Sequence, residues 1–396
     1  AWVFWTLIAP RFRRFVFGLN FSRGDVLRLC WGARALPIPP VAMPHTHKVQ
    51  SVGLRQGLKS FGDRGSLVNF LRSVLMDQIP INYVEGFASR SAVVKGFTAH
   101  GPSLVFTQTG LLRGSNFAMW TALQTQHSRA KLVLGQHGGG YGIYRFPNWA
   151  ELHELAVADS WISWASMGPT GLPGVVPRRS RTSSRSEPRR CLLVVPSTSA
   201  RGHFMGSLCL SAVDGNRNRI HRICHGLHER RIATTMRLKT GHGSKAYRMS
   251  TGDVSDLLAP STHVESKHDQ SLLRSLQQSR LAILLYPDTP LIDVLRTDVP
   301  FVLCWDSRLV RLHEALLPLE TELRRLRVLV DEPAACVQHV SEIWKDVNEW
   351  WDRREIRDVV ARLHACLATF VEEPATEYVR TFDRLTQMSA ERGDSE

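Results

Sequence analysis

Apolar positions three and four apart mark "GSLVNFLRSVLMDQIP" (65–80) as an amphipathic helix that stops at Pro80. Residues 1–80 are accordingly predicted to be helical. From residue 81 the pattern shortens. "PSLVFTQTG" (102–110) and "KLVLGQHG" (131–138) are short apolar runs that break into Gly or polar loops, and "SNFAMWTALQTQHS" (115–128) between them has helical spacing. Strand, helix, strand is the mark of a parallel sheet with covering helices. The alternation resumes at "CLLVVPST" (191–198), with a helix over "RIHRICHGLHERR" and a strand with its loop at "ATTMRLKTG" (233–241). An amphipathic helix "DQSLLRSLQQSR" (269–280), a buried strand "LAILLYPDT" (281–289), a short helix "PLIDVLRTDVP" (290–300) and a strand "FVLCWD" (301–306) follow. A long helix around "IWKDVNEWWDRREIRDVVARLHACLATF" closes the pattern.

Between the two alternating regions lies "GLPGVVPRRSRTSSRSEPRR" (171–190), rich in Pro, Gly, Ser and Arg and without apolar periodicity. It is either a solvated connector or a tether for acidic membrane or RNA. The expected organisation is a helical segment 1–80, a Rossmann-like acceptor-side domain 81–170, the linker 171–190, a Rossmann-like nucleotide-donor domain 191–372 and a tail 373–396. Two such units point to a ligand in the cleft between them.

Composition adds three constraints. At 396 residues the chain exceeds one ordinary core. Seven scattered cysteines, an odd count with no CxxC pair, fit a reducing compartment and core packing better than zinc. The formal net charge of +14 favours anionic partners, whether nucleic acid, anionic lipid or phosphorylated substrate, and is equally read as a compositional bias. No apolar run reaches the length of a bilayer span. The opening "AWVFWTLIAP" lacks an initiator Met and a cleavage pattern, as expected of a chain that begins inside a longer protein.

Four stretches carry candidate chemistry. In "GQHGGGYG", glycines let backbone N–H groups approach a ligand, and the loop is neither a Walker A motif nor a normally spaced GxGxxG. His137 is either a general base near neutral pH or a loop histidine bonded to backbone. In "WAELHELAVADSWISWASMG", Glu151 and Glu154 share a helix face. His153 beside them suggests a metal less well than a solvated face, and Trp161 and Trp164 read as core. In "YPDTPLID", Thr289 is the expected N-cap and Pro290 the first helical residue, so free N–H groups could hold a phosphate. Asp293, one turn on, either accepts ribose hydroxyls or answers the helix dipole. "TTMRLKTGHGSKAY" offers Arg237, Lys239, His242 and Lys245, either as cations for a diphosphate leaving group or as an exposed basic loop.

These motifs, in the order "LGQHGGGYG", "DSWISWASMG", "SRLAILLYPDTPLIDVLRTDVPFVLCWD" and "SEIWKDVNEWWDRREIRD", resemble a bacterial family of transferases encoded in surface-carbohydrate loci, such as those for lipopolysaccharide O-antigen. Its members look like GT-B glycosyltransferases. The start, "WVFWTLIAPRFRRFVFGLNFSRGDVLRLC", resembles an internal segment of that family. The resemblance implies an α/β fold, GT-B-like, with two Rossmann-like domains facing a cleft, a helical N-terminal segment and a long C-terminal helix. It implies His137 as base, with Gln136, Gly138, Gly139, Gly140, Tyr141, Gly142, Glu151 and Glu154 on the loop and acceptor side. Arg237, Lys239, Asp288, Thr289 and Asp293 would bind the donor. Asp293 stands where the family carries glutamate. Pro287, Asp288 and Pro290 stand where it carries small polar residues, and "SWASMG" replaces a Trp-Gly-Trp pattern. The implied partners are a nucleotide-activated sugar and a glycan or lipid-linked acceptor, with no cofactor and no metal. The implied location is cytoplasmic, with peripheral contact at the inner face of the membrane. Two rivals stand beside this: a nucleotide-sugar epimerase or hydrolase on the same fold, needing a carboxylate such as Glu151, Glu154 or Glu314 at the donor, and a non-catalytic basic protein binding nucleic acid or membrane.

Overall fold

A computed structural model describes residues 9–38, 53, 55–57, 67–96, 101–147, 149–164, 172–173, 176–177, 190–195, 210–238, 258–266 and 269–393. The chain divides into two compact units, one of Ala1–Gly135 with Tyr378–Glu396 and one of Gln136–Glu377.

In the first unit, β1 (Arg14–Phe17), β2 (Ala35–Pro37), β3 (Leu104–Thr107) and β4 (Lys131–Gly135) form parallel pairs in the order β2-β1-β3-β4. All four residues of β3 are buried, as a parallel strand covered on both faces requires. Helix α1 (Arg23–Gly32) starts where Ser22 Oγ accepts from Asp25 N at 3.1 Å. Further on are α2 (Leu67–Gln78), α3 (Phe87–Gly96) and α4 (Ser115–Ser128). Helix α4 lays Phe117 on Phe17, with ring centroids 4.4 Å apart, and Trp120 edge-on to Phe15. Strands β1 and β2 lie inside the stretch expected to be helical. At four and three residues they are too short to show a period, and burial rather than alternation selects them.

In the second unit, α5 (Trp149–Val157) precedes β5 (Ser160–Ser163), which pairs in parallel with β6 (Leu172–Pro173). β7 (Val176–Pro177) is a strand as well, so two short pieces of the expected linker are paired; residues 178–189 lie outside the described residues. The main sheet is built from β8 (Arg190–Val194), β9 (Thr234–Leu238), β10 (Thr262–Ser266), β11 (Ser279–Leu284), β12 (Phe301–Cys304) and β13 (Leu329–Val330). They run parallel in the order β10-β9-β8-β11-β12-β13. Counted from the first strand this is 3-2-1-4-5-6, the doubly wound order of nucleotide-binding sheets. Leu281, Ala282, Ile283 and Leu284 are fully buried at its centre. Helices α6 (Leu210–Glu229), α7 (Leu272–Gln277) and α8 (Thr289–Thr297) join its strands. The fold is therefore α/β, with two parallel sheets and covering helices.

The closing region differs in detail from its expected form. Instead of one helix it holds Pro333–Ile343, Val347–Trp351 and Arg354–Leu367. The Asp346 carboxylate accepts from Glu349 N at 3.0 Å and so starts a new helix inside the run. The long C-terminal helix comes next, at Pro374–Gly393, where a tail was expected. Its Tyr378 and Phe382 pack on Phe106 of the first unit, to which they belong, and Asp383 pairs with Arg14 at 2.8 Å. Among the described residues no helix is long and apolar enough to cross a membrane. Of the six described cysteines, Cys30, Cys191, Cys224, Cys304 and Cys336 are buried core residues.

Candidate active site

The Gly-rich loop begins at Gln136, one residue beyond β4. Gln136 is buried. Its amide donates to Gly138 O at 2.7 Å, and its Oε1 accepts from Trp164 N at 2.8 Å and Ser163 Oγ at 3.3 Å. It staples the loop to the end of β5 and so fixes the backbone that carries the next side chain.

That side chain is His137. Its Nε2 lies 3.1 Å from Glu154 Oε1 and 2.6 Å from the Tyr141 hydroxyl, and the hydroxyl donates to Glu154 Oε2 at 2.9 Å. Since the tyrosine proton goes to Glu154, the consistent arrangement places a proton on Nε2, shared between the carboxylate and the phenolic oxygen. The imidazole lone pair is then on Nδ1. Burial first, then the charge and hydrogen bond of Glu154, push the Tyr141 hydroxyl above its usual range, so it remains a donor. Glu154 and Glu151 both face inward from α5, one turn apart, at 2% and 4% exposure. Glu151 Oε1 accepts from Gly142 N at 3.1 Å, and Gly142 has φ +69°, which explains a glycine there. His153 on the same helix is exposed. Trp161 is buried against Tyr141, with centroids 5.3 Å apart.

The loop meets the start of α8 directly. Gly139 N donates to Thr289 Oγ1 at 3.1 Å. A Cβ at Gly139 would lie 2.5 Å from both Asp288 C and Thr289 N, so only glycine permits this approach. The two stretches read separately in the sequence, GQHGGG and PDTP, form one surface. The expected cap is displaced by one residue. Asp288 is the N-cap, its Oδ1 accepting from Thr289 N at 2.6 Å, and Thr289 is the first helical residue. Its hydroxyl serves Gly139 instead.

Beside this junction is a cavity of about 340 Å³ lined by Val194, Arg237, Tyr286, Thr289 and Asp293 among others. It opens at the carboxyl ends of β8, β9 and β11, and β8 and β11 flank the point where strand order reverses. That is the place where open parallel sheets bind ligands. Asp293 lines it, with Arg296 3.6 Å away on the same helix. Arg237 lines it too, yet its guanidinium is buried, 2.5 Å from Glu265 Oε1 and 2.8 Å from Gln270 O. Its charge is already balanced, which corrects its expected use as an open cation for a diphosphate. Glu265, a carboxylate at the buried end of β10, was missed in the sequence; a lone Glu in "THVES" was its only signal. Lys239, His242 and Lys245 lie outside the described residues. Glu314 is largely exposed, 3.8 Å from Arg145, and does not line the cavity.

The profile of the LIC12162 family transferase matches residues 6–382. The chain belongs to this family. It is thus a member of a transferase family. No curated protein sequence matches the chain. Among solved structures it is similar to MurG of Acinetobacter baumannii (10% identity, 94% of this chain and 99% of that one, TM-score 0.41). It is also similar to the glycosyltransferase SnogD from Streptomyces nogalater (12%, 95% and 99%, 0.43) and to an S. aureus MnaA–UDP co-structure (10%, 94% and 96%, 0.47). The roles of residues in this family member rest on its own geometry.

Proposed function

We propose that this chain is a GT-B-type glycosyltransferase that moves a sugar from a nucleotide-activated donor to a hydroxyl of a bacterial surface glycan or its lipid-linked precursor. One observation carries the reading: the loop holding the His137–Glu154–Tyr141 cluster is hydrogen-bonded, through Gly139 N and Thr289 Oγ1, to the helix start beside a cavity at the switch point of a doubly wound sheet.

In this reading the acceptor oxygen loses its proton to His137 Nδ1 and attacks the anomeric carbon. The bond from that carbon to the donor phosphate breaks, and the nucleoside diphosphate leaves with the bonding pair. Glu154 holds the ring through Nε2 and faces the imidazolium that forms. Thr289 N at the start of α8, bonded in this structure to Asp288 Oδ1, receives the departing phosphate, and Asp293 holds the ribose hydroxyls. Gln136, Gly138, Gly139, Gly140 and Gly142 shape the loop. Membrane contact at the cytoplasmic face belongs to the same proposal. Helix α2 turns Leu67, Val68, Phe70, Leu71, Val74 and Leu75 outward, from 43% to 72% exposed, on a chain of net charge +14.

The test is transfer from a nucleotide-sugar panel to a hydroxyl acceptor. His137→Ala should lower kcat by about 10²–10⁴, and Glu154→Gln should lower it while leaving donor affinity in place. Transfer at the wild-type rate by His137→Ala would remove the histidine from the chemistry.

A further inference from the structure

The helix start that would receive the donor phosphate already holds an anion, and it is the protein's own. Asp288 Oδ1 sits 2.6 Å from Thr289 N and 3.2 Å from Thr289 Oγ1. The glycine loop closes over it: a Cβ on Gly140 would come within 3.5 Å of this oxygen, and one on Gly138 within 4.0 Å. Backbone N–H, hydroxyl and small residues around one oxygen make an anion cradle, filled here by a carboxylate.

Among the described residues no Lys or Arg pairs with Asp288 to offset that charge. Of the cations near the cavity, Arg237 is matched by Glu265 and Arg296 lies beside Asp293. Tyr286 is half-buried in the same wall, and its hydroxyl is pushed above its usual range by desolvation first and then by Asp288 and Asp293. Both carboxylates therefore bear on the cavity side of this wall.

From this geometry we infer that Asp288 is a specificity-determining gate: its carboxylate occupies the phosphate cradle at the start of α8 and competes with the diphosphate of the donor. The inference rests on the donor-site reading above and reverses the role expected of this residue. A donor enters only by displacing the carboxylate, which weakens diphosphate binding and favours donors with strong contacts elsewhere in the cavity.

Asn and Ser both cap helices as well as Asp does, so Asp288→Asn and Asp288→Ser remove the charge and keep α8 intact. The experiment is calorimetric titration of a panel of nucleoside diphosphates into wild type, these two variants and Asp288→Glu. The expected result is binding at least about tenfold tighter in Asn and Ser, from loss of a like charge at close range, with Glu as weak as wild type. Wild-type binding that the neutral variants leave unchanged or weaken overturns the gate and leaves the proposed function standing. Absence of binding in all four proteins overturns the donor site itself, and the gate with it.

Discussion

Gly139 admits no side chain, because a methyl group there would overlap the backbone of Asp288 and Thr289. Gly139→Ala must push the loop off the helix start. It should cost about 1–3 kcal/mol, read as a fall in Tm, and weaken nucleoside diphosphate binding in parallel. Retention of both would mean the loop and helix are not held together in solution. The three glycines were legible as a site of close backbone approach. What they approach was not, since Asp288 and Thr289 lie some 150 positions on and no local pattern links them. Arg237 shows the converse. Its charge was legible, but it lies within β9 rather than in the loop expected after it, and the partner that neutralises it, Glu265, is set by the pairing of β9 with β10. Arg237→Ala strands a buried carboxylate. The expected loss of stability is about 3–5 kcal/mol, with recovery in Arg237→Met/Glu265→Leu. A single mutant as stable as wild type in a urea melt would contradict the pairing.

Elements with a strong period came through best. Ile356, Val359, Val360, Leu363 and Leu367 are the buried stripe of Arg354–Leu367, and the buried run of β11 stands where an unbroken apolar segment placed it. Elements that depend on capping or burial alone did not. Asp346 interrupts the closing helix, and β1 is chosen by its neighbours. The helix Pro333–Ile343 carries a further consequence. His339 is buried against Trp350, with centroids 5.2 Å apart, and neither ring nitrogen meets a hydrogen-bond partner among the described residues. Burial, then Arg327, lowers its pKa from 6.5 to about 4. The folded state thus keeps it neutral where the unfolded chain would take up a proton. Stability from this source is fully present above pH 6.5 and is lost as the pH falls toward 4, by on the order of 2–3 kcal/mol. In urea melts at pH 7 and pH 4.5, His339→Phe should remove that part of the pH dependence. An unchanged slope would show that the ring is solvated.

At the scale of the whole molecule, the family match shows a transferase and the second unit carries a doubly wound parallel sheet. Strand–helix alternation made β3, β4, β8, β9, β11 and β12 legible; the return of Tyr378–Glu396 to the first unit was not, because nothing local distinguishes a docked helix from a tail. The outward apolar face of α2 predicts binding to vesicles rich in anionic lipid. Leu71→Ser with Leu75→Ser should weaken it by about tenfold or more, each leucine contributing about 1.5–3 kcal/mol when buried. Equal binding by the double variant would place the contact elsewhere. The donor cavity remains the central claim, and a thermal melt tests it most directly. Wild type and Asp293→Ala are melted with a panel of nucleotides and nucleotide sugars. A ligand at 100 times its Kd stabilises by about 2.7 kcal/mol. The account predicts such a rise in Tm for one nucleotide class in wild type and its loss in Asp293→Ala. A melt that no nucleotide shifts, or an equal shift in both proteins, would contradict it.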